Sequence, residues 1–200
     1  MADSKIDKSA KYILEISPKD CTGCKNCANI CPVKAIVMKD KAEIFDKLNS
    51  DYTYSQSLTK KEVSLNDNTV MGVQYKLPYF EYCGACAGCG ETPYIRLLTQ
   101  LFGNRLIIAN ATGCSSIYSG SYPSCPYTTD SDGLGPSWAN SLFEDNAEFG
   151  YGMKVAINNK RLKLSKTVDA IISENVNEDL TKLLTEWKQN ISVSKKTVEI

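Results

Sequence analysis

The chain has 200 residues, enough for one well-packed domain or two small ones, and 42% of them are hydrophobic, which suits a folded core. Its 23 Lys and Arg balance 23 Asp and Glu, so no global field recruits nucleic acid or an anionic membrane, and no apolar run reaches the roughly 18 residues of a spanning helix. There is no histidine, which removes His-based triads, His zinc ligands and imidazole proton shuttles and leaves nine cysteines, the carboxylates or a cofactor to carry any chemistry.

The amino terminus, MADSKIDKSAKY, lacks the apolar core of a secretory signal, so the expected location is the cytoplasm, or an anaerobic energy organelle if the source is eukaryotic. In a reducing compartment nine cysteines read as metal ligands rather than disulfides. Tyr12 to Ile16 alternates and predicts a short strand. It leads into CTGCKNCANICPVKAI, where Cys21, Cys24, Cys27 and Cys31 follow a C-x2-C-x2-C-x3-C spacing closed by Pro32. That is the run with which bacterial ferredoxins wrap a 4Fe-4S cluster, and a zinc site of coincidental spacing is the alternative. In two-cluster ferredoxins the fourth cysteine of each run serves the other cluster. Either Cys31 closes a lone cluster with Cys21, Cys24 and Cys27, or the run lacks its partner motif.

From Ala42 to Tyr75 polar residues such as Asn49, Ser50, Asp51, Ser55 and Asn66 interrupt any periodicity, and the stretch reads as a connector or surface excursion. A second cysteine group follows, with Cys83, Cys86 and Cys89 three residues apart and Gly84, Ala85, Ala87 and Gly88 between them. Small residues let a backbone wrap closely around a bulky centre, and thiolates so grouped favour a soft metal or an iron–sulfur cluster over a zinc knuckle or plain structural thiols. Thr92 and Pro93 suit a helix start; Tyr94, Leu97, Leu98 and Leu101 fall at helical spacing; Gly103 is a plausible stop. Leu106 to Ile108 predicts a buried strand ending near Asn110 and Thr112, which puts Cys114 in the loop past its carboxyl end, where open α/β sheets hold ligands. A loop rich in Gly, Pro, Ser and Thr spans Ser115 to Ser137. Pro136 then opens an expected helix through WANSLFEDNAEFGYGM, with Trp138, Leu142, Phe143 and Phe149 as its packing face. Val168 to Ile191 predicts an amphipathic helix broken near Asn175, and Lys160, Arg161, Lys163, Lys166, Lys195 and Lys196 read as solvated faces.

Together, CGACAGCGETPYIRLLTQLFGNRLIIANATGCSSIYSG and PYTTDSDGLGPSWANSLFEDNAEFGYGM resemble the thiamine-diphosphate domain of pyruvate:ferredoxin (flavodoxin) oxidoreductase, and CTGCKNCANICP resembles a cluster motif of that family's ferredoxin domain. The resemblance covers roughly Lys11 to Met153. It implies Cys21, Cys24, Cys27 and Cys31 as ligands of one 4Fe-4S cluster, and Cys86, Cys89 and Cys114 as three ligands of another beside the thiamine. It also implies Glu91 as a thiamine-diphosphate contact, with Cys114 in the same cofactor neighbourhood. Cys83 and Cys125 match no family ligand.

The implied activity is decarboxylation of pyruvate with coenzyme A as co-substrate, giving acetyl-CoA and CO2. Electrons leave through 4Fe-4S clusters to ferredoxin or flavodoxin, and the implied complete enzyme is a homodimer holding thiamine diphosphate with Mg2+. Neither a nucleic acid nor a membrane is an expected partner. The alternatives are a non-enzymatic iron–sulfur electron carrier and an oxidoreductase for another 2-oxo acid. This sequence departs from the family pattern in lacking the GDG…N signature for metal and diphosphate, for which Ser131 to Gly133 is no substitute, and the family's fourth proximal cysteine lies much further along its chain. The expectation is therefore a fragment, or a truncated or split product, inactive toward pyruvate by itself. The expected fold class is mixed α/β and α+β. Residues 1–46 would form part of a ferredoxin-like 4Fe-4S domain, 47–75 a connector, and 76–200 the opening part of an incomplete α/β thiamine-diphosphate-binding domain.

Overall fold

The computed structural model describes residues 2–3, 8–58, 65–66, 68–121, 124–175 and 177–191. They belong to two compact units, residues 1–108 with 112–139, and residues 109–111 with 140–200. The class is mixed, helices dominating over a small parallel sheet.

In the first unit, β1 (Ala2–Asp3) pairs antiparallel with β2 (Lys11–Tyr12), Ala2 opposite Tyr12. The strand expected over Tyr12 to Ile16 stops at Tyr12. Ile13, Leu14 and Ile16 are exposed, and alternation alone does not hold a strand whose backbone groups have no ladder to join. The cysteine run follows, with α1 (Asn26–Ile30) inside it.

Where the sequence read as an aperiodic connector, the chain forms the 17-residue helix α2 (Lys41–Ser57). It starts on a side-chain cap, the Ala42 N–H donating to Asp40 Oδ1 at 2.8 Å, and carries an i,i+4 Lys47–Asp51 ion pair at 2.7 Å. Ser55 is its one buried residue, so it has no apolar stripe to announce it. Two polar contacts tie it to the rest of the unit. The Ser55 hydroxyl donates to Glu15, and the Tyr52 and Tyr82 hydroxyls share a hydrogen bond of 2.7 Å.

The core of this unit gathers around Val73, Tyr79, Phe80 and Tyr118. Val73 ends the short helix α3 (Val70–Val73), whose Thr69 cap accepts from the Gly72 N–H at 3.0 Å. Helix α4 (Thr92–Phe102) has the expected bounds, with proline in its first turn and Gly103, at φ 57°, as its cap. Its buried residues are the polar Thr99 and Gln100, whereas Tyr94, Leu98 and Leu101 are exposed. Thr99 Oγ1 accepts from the Tyr79 N–H at 3.1 Å and Gln100 Nε2 donates to the Lys76 carbonyl at 3.1 Å, so α4 holds the 76–79 backbone by hydrogen bonds. From there Phe80 pairs with Tyr127 in an antiparallel bridge, flanked by Glu81 N–H to Pro126 O at 3.0 Å and Thr128 N–H to Tyr79 O at 3.1 Å.

After a 3-10 turn at Gly103–Arg105 come β3 (Ile107–Ala111) and α5 (Cys114–Gly120). The helix expected from Pro136 is not there: β4 (Ser137–Ser141) pairs with β3, beginning beside the Ser137 N–H to Leu106 O bond at 3.0 Å. A proline serves a strand's approach as well as a helix's first turn, and a partner strand distant in sequence decides between them. Trp138 lies on that strand, its ring 3.1 Å from where a Cβ at Gly120 would stand. Leu142 and Phe143, expected to pack, are 63% and 77% exposed.

In the second unit, the Ser141 hydroxyl donates to Asn146 Oδ1 at 3.0 Å, and the helix delayed from Pro136 begins there as α6 (Asn146–Glu174). It ends where a break was expected, with Asn175 in the left-handed region at φ 48° and its N–H donating to Ile171 O at 3.2 Å. Helix α7 (Glu178–Gln189) packs on α6, capped by Asn177, which accepts from the Leu180 N–H at 3.1 Å. Val168 is buried and Lys188 pairs with Asp169. Lys195 and Lys196 lie outside the described residues. No helix among the described residues is long and apolar enough to cross a membrane.

Candidate metal centre

Backbone geometry shapes the first cysteine loop. Gly23, Lys25 and Lys34 all have positive φ, at 70°, 67° and 50°, so the chain reverses repeatedly as it passes Cys21 to Cys31. The Cys21 N–H donates to Ser17 O at 3.1 Å at its entry, Cys27 lies on α1, and Cys31 terminates that helix. The Ala35 N–H then points at Cys31 Sγ at 3.3 Å. That bond, with help from the N–H groups of Val33, Ile36 and Lys34, holds the Cys31 thiol below its ordinary range against a small opposing effect of burial. Peptide N–H groups aimed at sulfur favour the thiolate, the form that ligates metal.

The second loop repeats this chemistry. Tyr82 and Gly88 have positive φ, at 58° and 75°, and the Cys89 N–H closes a turn onto Cys86 O at 3.0 Å. Cys89 sits just before α4, where the N–H of Thr92, and then that of Glu91, lower its thiol against burial. The Glu91 carboxylate accepts from the Tyr118 hydroxyl at 2.8 Å. Burial first, and this bond second, push the Tyr118 phenol well above its usual range. Cys114, expected in the loop past β3, is the first residue of α5, one turn before Tyr118 on the same helix. The Ser116 hydroxyl fixes that start, accepting from the Gly113 N–H at 2.8 Å and donating to the Gly113 carbonyl at 2.6 Å.

The two loops approach one another. A Cβ at Gly88 would stand 3.2 Å from Asn26 Nδ2, so the turn carrying Cys86 and Cys89 comes close to the helix carrying Cys27. All nine cysteines are free thiols, Cys24, Cys27, Cys86, Cys114 and Cys125 being exposed and Cys21, Cys31, Cys83 and Cys89 half-buried. Among the described residues no three Cys, Asp or Glu side chains converge as ligands of a single ion. The donor set itself, soft thiolates supported by peptide N–H groups, fits iron–sulfur clusters, whose irons occupy separate corners and take one thiolate each.

The comparisons agree with that chemistry. Residues 14–37 match the family model described as a 4Fe-4S binding domain. The chain is 52% identical over 169 residues to the pyruvate:ferredoxin oxidoreductase of Moorella thermoacetica, covering 82% of this chain and 14% of that one. It is 47% identical over 181 residues to the pyruvate-flavodoxin oxidoreductase of Klebsiella pneumoniae, covering 90% and 16%. Against the mitochondrial NADP(+) pyruvate dehydrogenase of Euglena gracilis it is 42% identical over 189 residues, covering 94% and 10%. The chain corresponds to a segment of the pyruvate:ferredoxin (flavodoxin) oxidoreductase family. It spans 14% and 16% of the length of the first two of these relatives.

In this family segment the structure brings Glu91, Cys89 and Cys114 to the surroundings of one residue that sequence reasoning missed. Tyr118 bonds Glu91, follows Cys114 by one turn, and stacks edge-on against Phe80 at 6.1 Å. Its four-residue offset from Cys114 was the available signal. Asn26 was missed too, because its neighbour Gly88 is 62 positions away along the chain. For thiamine diphosphate with Mg2+, Glu91 is the chain's one residue singled out by resemblance, and the described carboxylates form no metal-binding group.

Proposed function

We propose that this segment carries the cluster-holding part, and one cofactor-facing edge, of an enzyme that oxidatively decarboxylates pyruvate with coenzyme A and delivers the electrons to ferredoxin or flavodoxin. The similarity to named pyruvate oxidoreductases across more than four-fifths of the chain carries the reading, and the thiolate-directed N–H groups at Cys31 and Cys89 support it. Cys21, Cys24, Cys27 and Cys31 hold one 4Fe-4S cluster and Cys86, Cys89 and Cys114 contribute to another. Residues 1–46 act as the ferredoxin-like part and residues 76–200 as the opening of the thiamine-binding part, joined through 47–75. When bound, the clusters supply one-electron acceptors and thiamine diphosphate supplies the chemistry that decarboxylates a 2-oxo acid.

The chain's own residues have identifiable tasks. The Ala35 N–H steers the Cys31 thiolate, and those of Thr92 and Glu91 steer that of Cys89. The Tyr118 hydroxyl fixes one oxygen of the Glu91 carboxylate and leaves the other for the cofactor. The close approach at Gly88 and Asn26 keeps the two cysteine loops side by side, as short-range electron passage requires.

The test uses anaerobically isolated protein containing this segment, challenged with a panel of 2-oxo acids in the presence of coenzyme A, with ferredoxin or flavodoxin reduction followed optically. Pyruvate-dependent reduction is expected. Preference for a branched or aromatic 2-oxo acid, or cluster reduction with no 2-oxo acid turnover at all, would overturn the proposal.

A further inference from the structure

The second cysteine group contains a thiol that the resemblance leaves without a role. Cys83, Cys86 and Cys89 follow C-x2-C-x2-C, the same spacing as Cys21, Cys24 and Cys27 in the ferredoxin-type run. A loop of that spacing wraps three thiolates around one cluster face, and a fourth arrives from elsewhere in the chain.

The structure supplies the fourth. The loop from Phe80 to Glu91 is pinned to α5 at both ends through Tyr118. Its ring meets Phe80, three residues before Cys83, at 6.1 Å, and its hydroxyl donates to Glu91, two residues after Cys89, at 2.8 Å. Cys114 lies one turn earlier on that helix, so the loop closes over the helix end that presents Cys114. The Phe80–Tyr127 bridge anchors the loop from the other side, with ring centroids 5.1 Å apart. Cys83 is half-buried within this enclosure, whereas Cys125, beyond the bridge, is exposed. Charge on Cys89 and on Cys83 both reach the Tyr118 hydroxyl, which places the two sulfurs in one neighbourhood.

We infer that Cys83 is a cluster ligand, completing with Cys86, Cys89 and Cys114 a four-thiolate 4Fe-4S site contained within residues 83–114. On binding, the thiol gives its proton to solvent and the thiolate takes the fourth iron corner. Cys125 stays outside the site. The inference rests on the reading that Cys86, Cys89 and Cys114 hold a cluster.

Thiol footprinting separates the two. Anaerobically isolated holoprotein is pulse-labelled with an alkylating agent, then labelled again after iron is stripped with a chelator, and each cysteine is quantified by peptide mass spectrometry. Cys83 should react at least tenfold more slowly in the holoprotein than after stripping, in step with Cys86, Cys89 and Cys114, while Cys125 reacts at the same rate in both. Rapid labelling of Cys83 alone among those four in the holoprotein would overturn the inference and leave the parent reading intact. Rapid labelling of all four would overturn both. As a second measurement, Cys83→Ser should lose up to about four irons per chain while Cys125→Ser loses none. Full iron and an unchanged reduced-cluster EPR spectrum in Cys83→Ser would refute ligation.

Discussion

Phe80 is the residue whose removal most directly tests how the second cysteine loop is held. It is 2% exposed, pairs edge-on with Tyr118 at 6.1 Å and with Tyr127 at 5.1 Å, and lies at the bridge that joins the 79–81 and 126–128 segments. Truncating a buried phenylalanine to alanine costs about 3–5 kcal/mol through lost transfer energy and the cavity left behind. Two ring pairs lost together place this site toward the upper part of that range. A domain's whole stability is about 5–15 kcal/mol, so Phe80→Ala removes a large fraction of it. With a urea slope of about 2 kcal/mol per molar, the unfolding midpoint should fall by about 1.5–2.5 M. Equilibrium urea unfolding followed by tyrosine and tryptophan fluorescence measures this. A loss below about 1 kcal/mol would show that Phe80 does not organise the loop and would refute the packing argument.

Gly88→Ala forces a side chain onto a backbone at φ 75° and against Asn26 Nδ2 at 3.2 Å, and should cost about 1–2 kcal/mol in the same unfolding assay. Adding Asn26→Ala should recover the steric part and leave the backbone part. Tyr118→Phe removes the hydroxyl that Glu91 accepts from and should cost about 1 kcal/mol, at the low end for a bond to a charged group because that carboxylate faces solvent. Asp130 is held below the usual carboxylate range, chiefly by the Leu134 N–H and also by the Tyr79 hydroxyl, the Asp132 N–H and Asn104. A depressed folded-state pKa stabilises the fold above the unfolded value of about 3.9, and that contribution is lost as pH falls through the folded value. Stability measured from neutrality down to about pH 2 should therefore drop more steeply in the wild type than in Asp130→Asn, and parallel curves would refute the assignment.

Features with a local chemical cause were legible in the sequence. Thr92 and Pro93 start α4 and Gly103 caps it; Asn175 ends α6; the spacing of Cys21 to Cys31 coincides with the matched cluster-binding segment. Helix α2 escaped because its formation rests on the Asp40 cap and polar contacts, while the signal sought was an apolar stripe. Strand β4 escaped because Ser137 finds its partner at Leu106, and no window around Pro136 contains that information. Leu142 and Phe143 were assigned to a packing face by a helical register that the strand replaces. In the site, each cysteine was visible as a type at a spacing, but the hydroxyl that positions Glu91 comes from 27 residues away, and the tyrosine pair joining α2 to the cysteine loop spans 30.

The most direct test of two clusters in this segment is iron, zinc and acid-labile sulfide measured on anaerobically isolated protein, in the wild type and in Cys24→Ser and Cys86→Ser. The account predicts matched iron and sulfide in the wild type and a loss of up to about four irons in each variant, the two losses adding in the double variant. Zinc in place of iron, with no labile sulfide, or variants that keep the full iron content, would contradict it.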